Sequence, residues 1–122
     1  MILADTSIWI EFFRSRNLAL RRLLENKQVV MHPCLVAELA LGSLRDRELT
    51  LAKLDSMPML RLVDLRDVRR MIEARELWSK GIGLTDAHLL ASCLVTPGTR
   101  LWTGDARLGQ AAELLGIRAI LS

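Results

Sequence analysis

Four acidic residues stand where a carboxylate is either costly or well placed: Asp5, Glu38, Asp86 and Asp105. Asp5 ends the apolar run Ile2-Leu3-Ala4, and Asp105 follows Leu101-Trp102-Thr103-Gly104 in the same manner. Glu38 is the one charge in the apolar stretch 33–41, where a carboxylate either points at solvent or meets a cation. Asp86 falls in the first turn of a predicted helix, a place the helix dipole favours. Carboxylates brought together repel and raise one another's pKa, and a divalent cation relieves that repulsion. An all-oxygen ligand set, with no clustered His or Cys, selects a hard ion, Mg²⁺ or Mn²⁺. Such an ion activates water and stabilises charge on a phosphodiester, so the chemistry open to these four acids is metal-assisted phosphodiester hydrolysis.

That chemistry requires a fold that gathers residues 5, 38, 86 and 105. The run Ile2-Leu3-Ala4 has no alternation, which suits a strand covered on both faces in a parallel sheet. A carboxylate at its carboxyl end, followed by the cap candidates Thr6 and Ser7, lies where open α/β sheets place their ligand crevice. Helices are predicted over 7–13, over 18–25 behind the cap Asn17, over 33–41 with Pro33 at the first position and Gly42 after the end, and over 45–56. Further helices are predicted over 65–80, closed by Gly81, over 86–95 capped by Thr85, and over 106–115 closed by Gly116. Short strands are predicted at 28–31, 60–63, 100–103 and 117–120. Strands and helices alternate throughout, which implies right-handed crossovers and a parallel sheet with helices on both faces. If the strands bearing Asp5 and Asp105 lie close together, all four acids converge at its carboxyl edge.

The 122 residues are expected to form a single domain, 1–122, large enough for a real core. Hydrophobic residues at 51% and charged residues at 25% exclude a disordered chain. No apolar run reaches the roughly 18 residues of a membrane span, and Asp5 and Glu11 interrupt any signal-peptide pattern, so a cytoplasmic location is expected. The net charge is +3, and Lys27, Lys53 and Lys80 are the only lysines. The basic surface is therefore mostly arginine, which suits planar contact with phosphate or carboxylate. Arg66, Arg69, Arg70 and Arg75 read most simply as the wet side of their helix.

Other chemistry-bearing residues read as structural. Cys34 and Cys93 lie in apolar helical contexts without metal spacing and are expected to be buried free thiols. His32, alone at a strand end, is expected to be structural because nothing near it has metal-ligand spacing. Ile8/Phe12 and Trp9/Phe13 pair at i,i+4 and give the first helix two apolar faces. One face packs on the sheet; the other is either core in a wider sense or a docking surface for another chain, and partner contact by the Trp9/Phe12/Phe13 region is the prediction that tests it.

Residues 2–8 (ILADTSI), the Glu38 helix, residues 83–91 (GLTDAHLLA) and residues 101–108 (LWTGDARL) together resemble the PIN-domain ribonucleases, in particular the VapC-type toxins of toxin–antitoxin pairs. The resemblance runs in order over nearly the whole chain. It implies a PIN-like three-layer α/β sandwich with a parallel sheet of four to five strands, and an Mg²⁺- or Mn²⁺-dependent endoribonuclease acting on RNA. It further implies a homodimer and a cognate VapB-type antitoxin that blocks the active site. Asp5, Glu38, Asp86 and Asp105 match the family's acidic positions, with Asp5, Asp86 and Asp105 as metal ligands, direct or through water. Glu38 would ligate or orient the attacking water, and Thr103 matches the hydroxyl residue that steadies Asp105. Thr6 or Ser7 would contact the metal's waters. Arg14, Arg16 and Arg107 would grip RNA phosphates or meet the antitoxin. Leu108 departs from the family's frequent Phe, a packing change that leaves the chemistry intact.

Three rivals fit parts of the pattern. A phosphoacceptor receiver module needs a lysine after a late strand, and the chain ends Ile120-Leu121-Ser122. A dehalogenase-type phosphatase needs Asp two residues after Asp5, where Ser7 stands. A PIN-like binding module without catalysis would not keep all four acids.

Overall fold

In the computed structural model, which describes residues 1–121, β1 (Ile2–Ala4) is the middle strand of a parallel sheet ordered β2-β1-β3. Ile2 and Leu3 pair with Val29 and Val30 of β2 (Val29–Val30). On the other side Ile2, Leu3 and Ala4 pair with Arg100, Leu101 and Trp102 of β3 (Arg100–Trp102). Central position explains the composition: Leu3 and Ala4 are fully buried, as a strand covered on both faces requires. Because all three strands run the same way, residues that follow them share one edge of the sheet.

The sheet is narrower than the four to five strands expected. The stretches 60–63 and 117–120 do not form strands; each side contributes only one parallel bridge, Met31 to Met59 and Leu101 to Arg118. Pro58 lies beside the first bridge and cannot donate a ladder hydrogen bond, although its carbonyl accepts one from Met31 N–H at 2.8 Å.

Among the described residues seven helices complete the α/β sandwich: α1 (Thr6–Phe13), α2 (Leu18–Glu25), α3 (Pro33–Ala40), α4 (Arg47–Asp55), α5 (Leu65–Ala74), α6 (Leu84–Val95) and α7 (Ala106–Leu114). Their starts follow cap chemistry. Asn17 accepts from Leu20 N–H at 2.9 Å, Asp64 from Arg66 N–H at 2.8 Å, and His32 from Cys34 N–H at 3.0 Å, with Pro33 at the first helical position. α5 stops at Ala74, well short of the expected residue 80. Glu76 takes a left-handed conformation (φ 53°) and Leu77 N–H donates back to Ile72 C=O at 3.0 Å, a Schellman turn without glycine. Burial of Leu77 holds this turn, at 3% exposure. α7 ends as expected, on Gly116 at φ 73°.

Leu3, Leu20, Met31, Leu35, Leu90 and Leu101 anchor one core between sheet and helices. A smaller cluster of Val63, Val68, Ala87 and Ala91 fastens α5 to α6, leaving Arg66, Arg69 and Arg70 exposed as expected. Cys93 is buried in the main core and Cys34 is half-buried; both are free thiols, and burial pushes the Cys93 thiol up to about 12. Among the described residues no helix is long and apolar enough to cross a membrane.

Candidate active site

The carboxyl edge of β1 supplies the first acid. Asp5 is only 6% exposed, a costly place for a charge, and every contact it makes is with a donor. Its Oδ1 accepts from Ser7 Oγ at 2.6 Å, Ser7 N–H at 3.1 Å and Ile8 N–H at 3.4 Å, so it also caps α1. Its Oδ2 accepts from Thr103 Oγ1. Thr103 follows β3, the strand paired with β1, and this pairing brings residues 98 positions apart into one hydrogen bond.

The same hydroxyl accepts from Asp105 N–H at 3.0 Å, so Thr103 joins two acids. It steadies Asp105 through the backbone and Asp5 through the side chain, a fuller role than the one expected of it. Asp105 caps α7, accepting from Arg107 N–H at 2.8 Å and Leu108 N–H at 3.1 Å. Ser7 Oγ closes the ring by accepting from Gly104 N–H at 3.3 Å. Leu108, 1% exposed, packs in the core and touches none of this.

Glu38 and Asp86 arrive on helices. Glu38 is exposed on α3, and its Oε2 accepts from Thr6 Oγ1 at 2.9 Å. Thr6 thus serves Glu38 while Ser7 serves Asp5. Asp86 lies in the first turn of α6, which starts at Leu84 with Gly83 as cap; the expectation that Thr85 caps this helix is corrected. Asp86 Oδ2 accepts from Gly83 N–H at 3.2 Å, the half of a capping box in which the third helical residue reaches back to the cap's own N–H.

Electrostatics tie the four together. Burial raises the Asp86 carboxyl above its ordinary range, and the charges of Asp5, Asp105 and Glu38 each raise it further, against the lowering effect of the Gly83 N–H. Ion pairs among the described residues are Arg70–Asp67 and Arg118–Glu113, and neither involves these acids. Among the described residues no three His, Cys, Asp or Glu side chains are grouped so as to hold an ion directly.

Two features of the surroundings are not visible in the sequence. Arg107 lies across Gly81: a Cβ at Gly81 would come within 2.8 Å of the Arg107 Nη1. The guanidinium is thereby laid over the loop leading to Asp86. Behind the acids, His32 is fully buried; its Nδ1 accepts from Cys34 N–H, so its Nε2 donates to Ser92 Oγ at 2.8 Å, and Ser92 donates to Arg61 C=O at 2.7 Å. Burial, with the His88 charge second, lowers its pKa to about 4, so it is neutral and structural as expected. The expected Trp9/Phe12/Phe13 docking face is only partly free. Trp9 is 2% exposed and packs edge-on to Phe12 at 5.7 Å, so it belongs to the core, while Phe13 reaches the surface.

Residues 2–114 match the PIN domain family. The chain belongs to the PIN-domain family and is of the VapC type. Its similarity to "Ribonuclease VapC32" from two strains of Mycobacterium tuberculosis carries the second statement: 40% identity over 117 residues, 96% of this chain and 94% of each relative. All four acids of this PIN domain, and Thr103 between them, fall within the matched span.

Proposed function

We propose that this PIN domain is a metal-dependent endoribonuclease toxin, cytoplasmic, acting on RNA as a homodimer and restrained by a cognate VapB-type antitoxin. One observation carries the catalytic part: acids from four elements share one electrostatic field that no Lys or Arg ion pair neutralises among the described residues. The oxygen-only donor set fits Mg²⁺ or Mn²⁺; burial first, and then the charges of Asp5, Asp105 and Glu38, raise the Asp86 carboxyl, and such an ion would relieve the charge part. Asp5, Asp86 and Asp105 would hold it, partly through water, with Glu38 as ligand or orienter of the attacking water. When bound, the ion supplies an activated water and charge stabilisation at the phosphodiester.

The remaining chemistry belongs to the chain. Thr103 and Ser7 fix the Asp5 carboxylate from both oxygens, so it cannot rotate as substrate enters. Thr6 holds one oxygen of Glu38 and leaves the other available to a water. Arg107, on the rim beside Asp105, meets RNA phosphate as a planar donor. The test is cleavage of single-stranded RNA with millimolar Mn²⁺ or Mg²⁺, with and without a chelator. Metal should activate cleavage and raise Tm, since it binds only the folded site. Cleavage undiminished by chelation overturns the metal-dependent reading; metal binding without cleavage of any RNA identifies a non-catalytic module instead.

A further inference from the structure

A cavity of about 650 Å³ opens beside Glu38, the one site acid that lines it. One wall is a single stripe of α1 and its cap: Thr6, Ile10, Phe13 and Arg14, at i, i+4, i+7 and i+8. Glu38 of α3 and Arg45, from the loop after α3, also line the cavity. The stripe starts at the acid site, where Thr6 donates to Glu38, and ends about 12 Å further on at the helical rise of roughly 1.5 Å per residue. Ile10 and Phe13 are 39% and 36% exposed along it, and neither Arg14 nor Arg45 is ion-paired among the described residues.

We propose that this groove binds the single-stranded RNA segment adjoining the scissile phosphate, with one base stacked on Phe13 and backbone phosphates on Arg14 and Arg45. This rests on the ribonuclease reading above and adds a subsite to it. Continuity names the occupant: a strand with one phosphate at the acids must leave the site, and this groove begins at the Thr6–Glu38 pair on the edge of it. A base offers a π-face to the phenyl ring, and a guanidinium pairs with phosphate through two donors. An acidic peptide, such as a segment of the antitoxin proposed above, would also satisfy the arginines, and an unchanged KM in both variants below assigns the groove to it instead.

The experiment uses single-stranded oligoribonucleotides cleaved by the wild type, Phe13→Leu and Arg45→Gln. Each variant should raise KM about tenfold and leave kcat within about twofold. An abasic residue is then placed at successive positions on either side of the cut. At one position it should reproduce the Phe13→Leu loss in the wild type and cause no further loss in that variant. Wild-type KM in both variants, or additive losses at every position, overturns the subsite while the ribonuclease reading stands. Failure of the wild type to cut any RNA overturns both.

A separate observation carries a second inference. α3 and α6 pack together, and His32 at the start of α3 bonds Ser92 in the second half of α6. Glu38, six residues after His32, acts electrostatically on Asp86, six residues before Ser92. The helices therefore run antiparallel, with a buried bond at one end and two acids equally far along each helix at the other. We infer that His32 and Ser92 are positioning residues: their bond sets the register of α3 on α6, and hence the spacing of Glu38 and Asp86. Ser92→Ala should lower kcat about tenfold at unchanged KM and weaken Mn²⁺ binding, measured calorimetrically, at least about threefold. His32→Asn, which retains an α3 cap but not the reach to Ser92, should do the same. A lower Tm with unchanged Mn²⁺ affinity and unchanged kcat per folded molecule overturns the inference.

Discussion

Asp5 and His32 occupy matching places on neighbouring parallel strands. Each follows its strand at the carboxyl edge, each is buried, and each caps the helix that comes next. Their partners separate them. His32 has one donor and one acceptor partner, the complement of a neutral imidazole: the half-buried Cys34 N–H and the buried Ser92 hydroxyl. Asp5 has donors alone, two of them hydroxyls, and with Asp105 and Glu38 it acts on one shared neighbour, Asp86. The edge of an α/β sheet offers several candidate positions, and the chemistry of the surrounding partners decides which becomes a site.

The sharpest way to break this comparison is Asp5→Asn. Cleavage should fall by about a thousandfold, as for loss of a group that acts at the reacting centre, while Tm moves by only a few degrees. Equal losses of activity and stability would make Asp5 a second His32. Acid should act on the other member. Unfolded His32 takes a proton near pH 6.5, whereas the folded residue resists until about 4. The unfolded chain therefore binds more protons in that window, and stability should fall by roughly 3 kcal/mol as pH drops through it. In His32→Asn, denaturant titrations should lose this slope; an unchanged slope would assign it to other groups.

Asp86 sharpens the contrast in the opposite sense. Its raised pKa means that the folded protein prefers it neutral, so without metal its contribution to stability should grow as pH falls through that pKa. Asp86→Asn mimics the neutral form and can keep the bond from Gly83 N–H. Calorimetry without metal should show a Tm higher by a few degrees, with the Mn²⁺-induced rise reduced. The smallest effect belongs to the exposed Arg70–Asp67 pair. Arg70→Ala should change stability by less than about 0.5 kcal/mol, because solvent screens such pairs.

Local pattern in the sequence revealed much of this. The unbroken apolar run before Asp5, the lone charge of the Glu38 helix and the cap at Asn17 each carry their meaning within a few residues. What the sequence concealed depends on distant contacts. The stretches at 60–63 and 117–120 have strand composition, yet only single bridges form, because neighbouring backbone rather than residue type decides ladder length. The early end of α5 needs Glu76 in a conformation usually left to glycine, imposed by burial of Leu77. Thr103 was recognisable as a site residue, but its bond to Asp5 depends on the β1–β3 register.

Gly81 shows how a residue without functional groups can become as intolerant as a ligand. Its φ of +75° strains any side chain, and although Arg107 above it could swing aside, the backbone could not. A saturation scan scored by function would place position 81 beside the four acids. The reason would be steric: the loop must turn there to deliver Asp86, and the arginine needs a bare surface on which to rest.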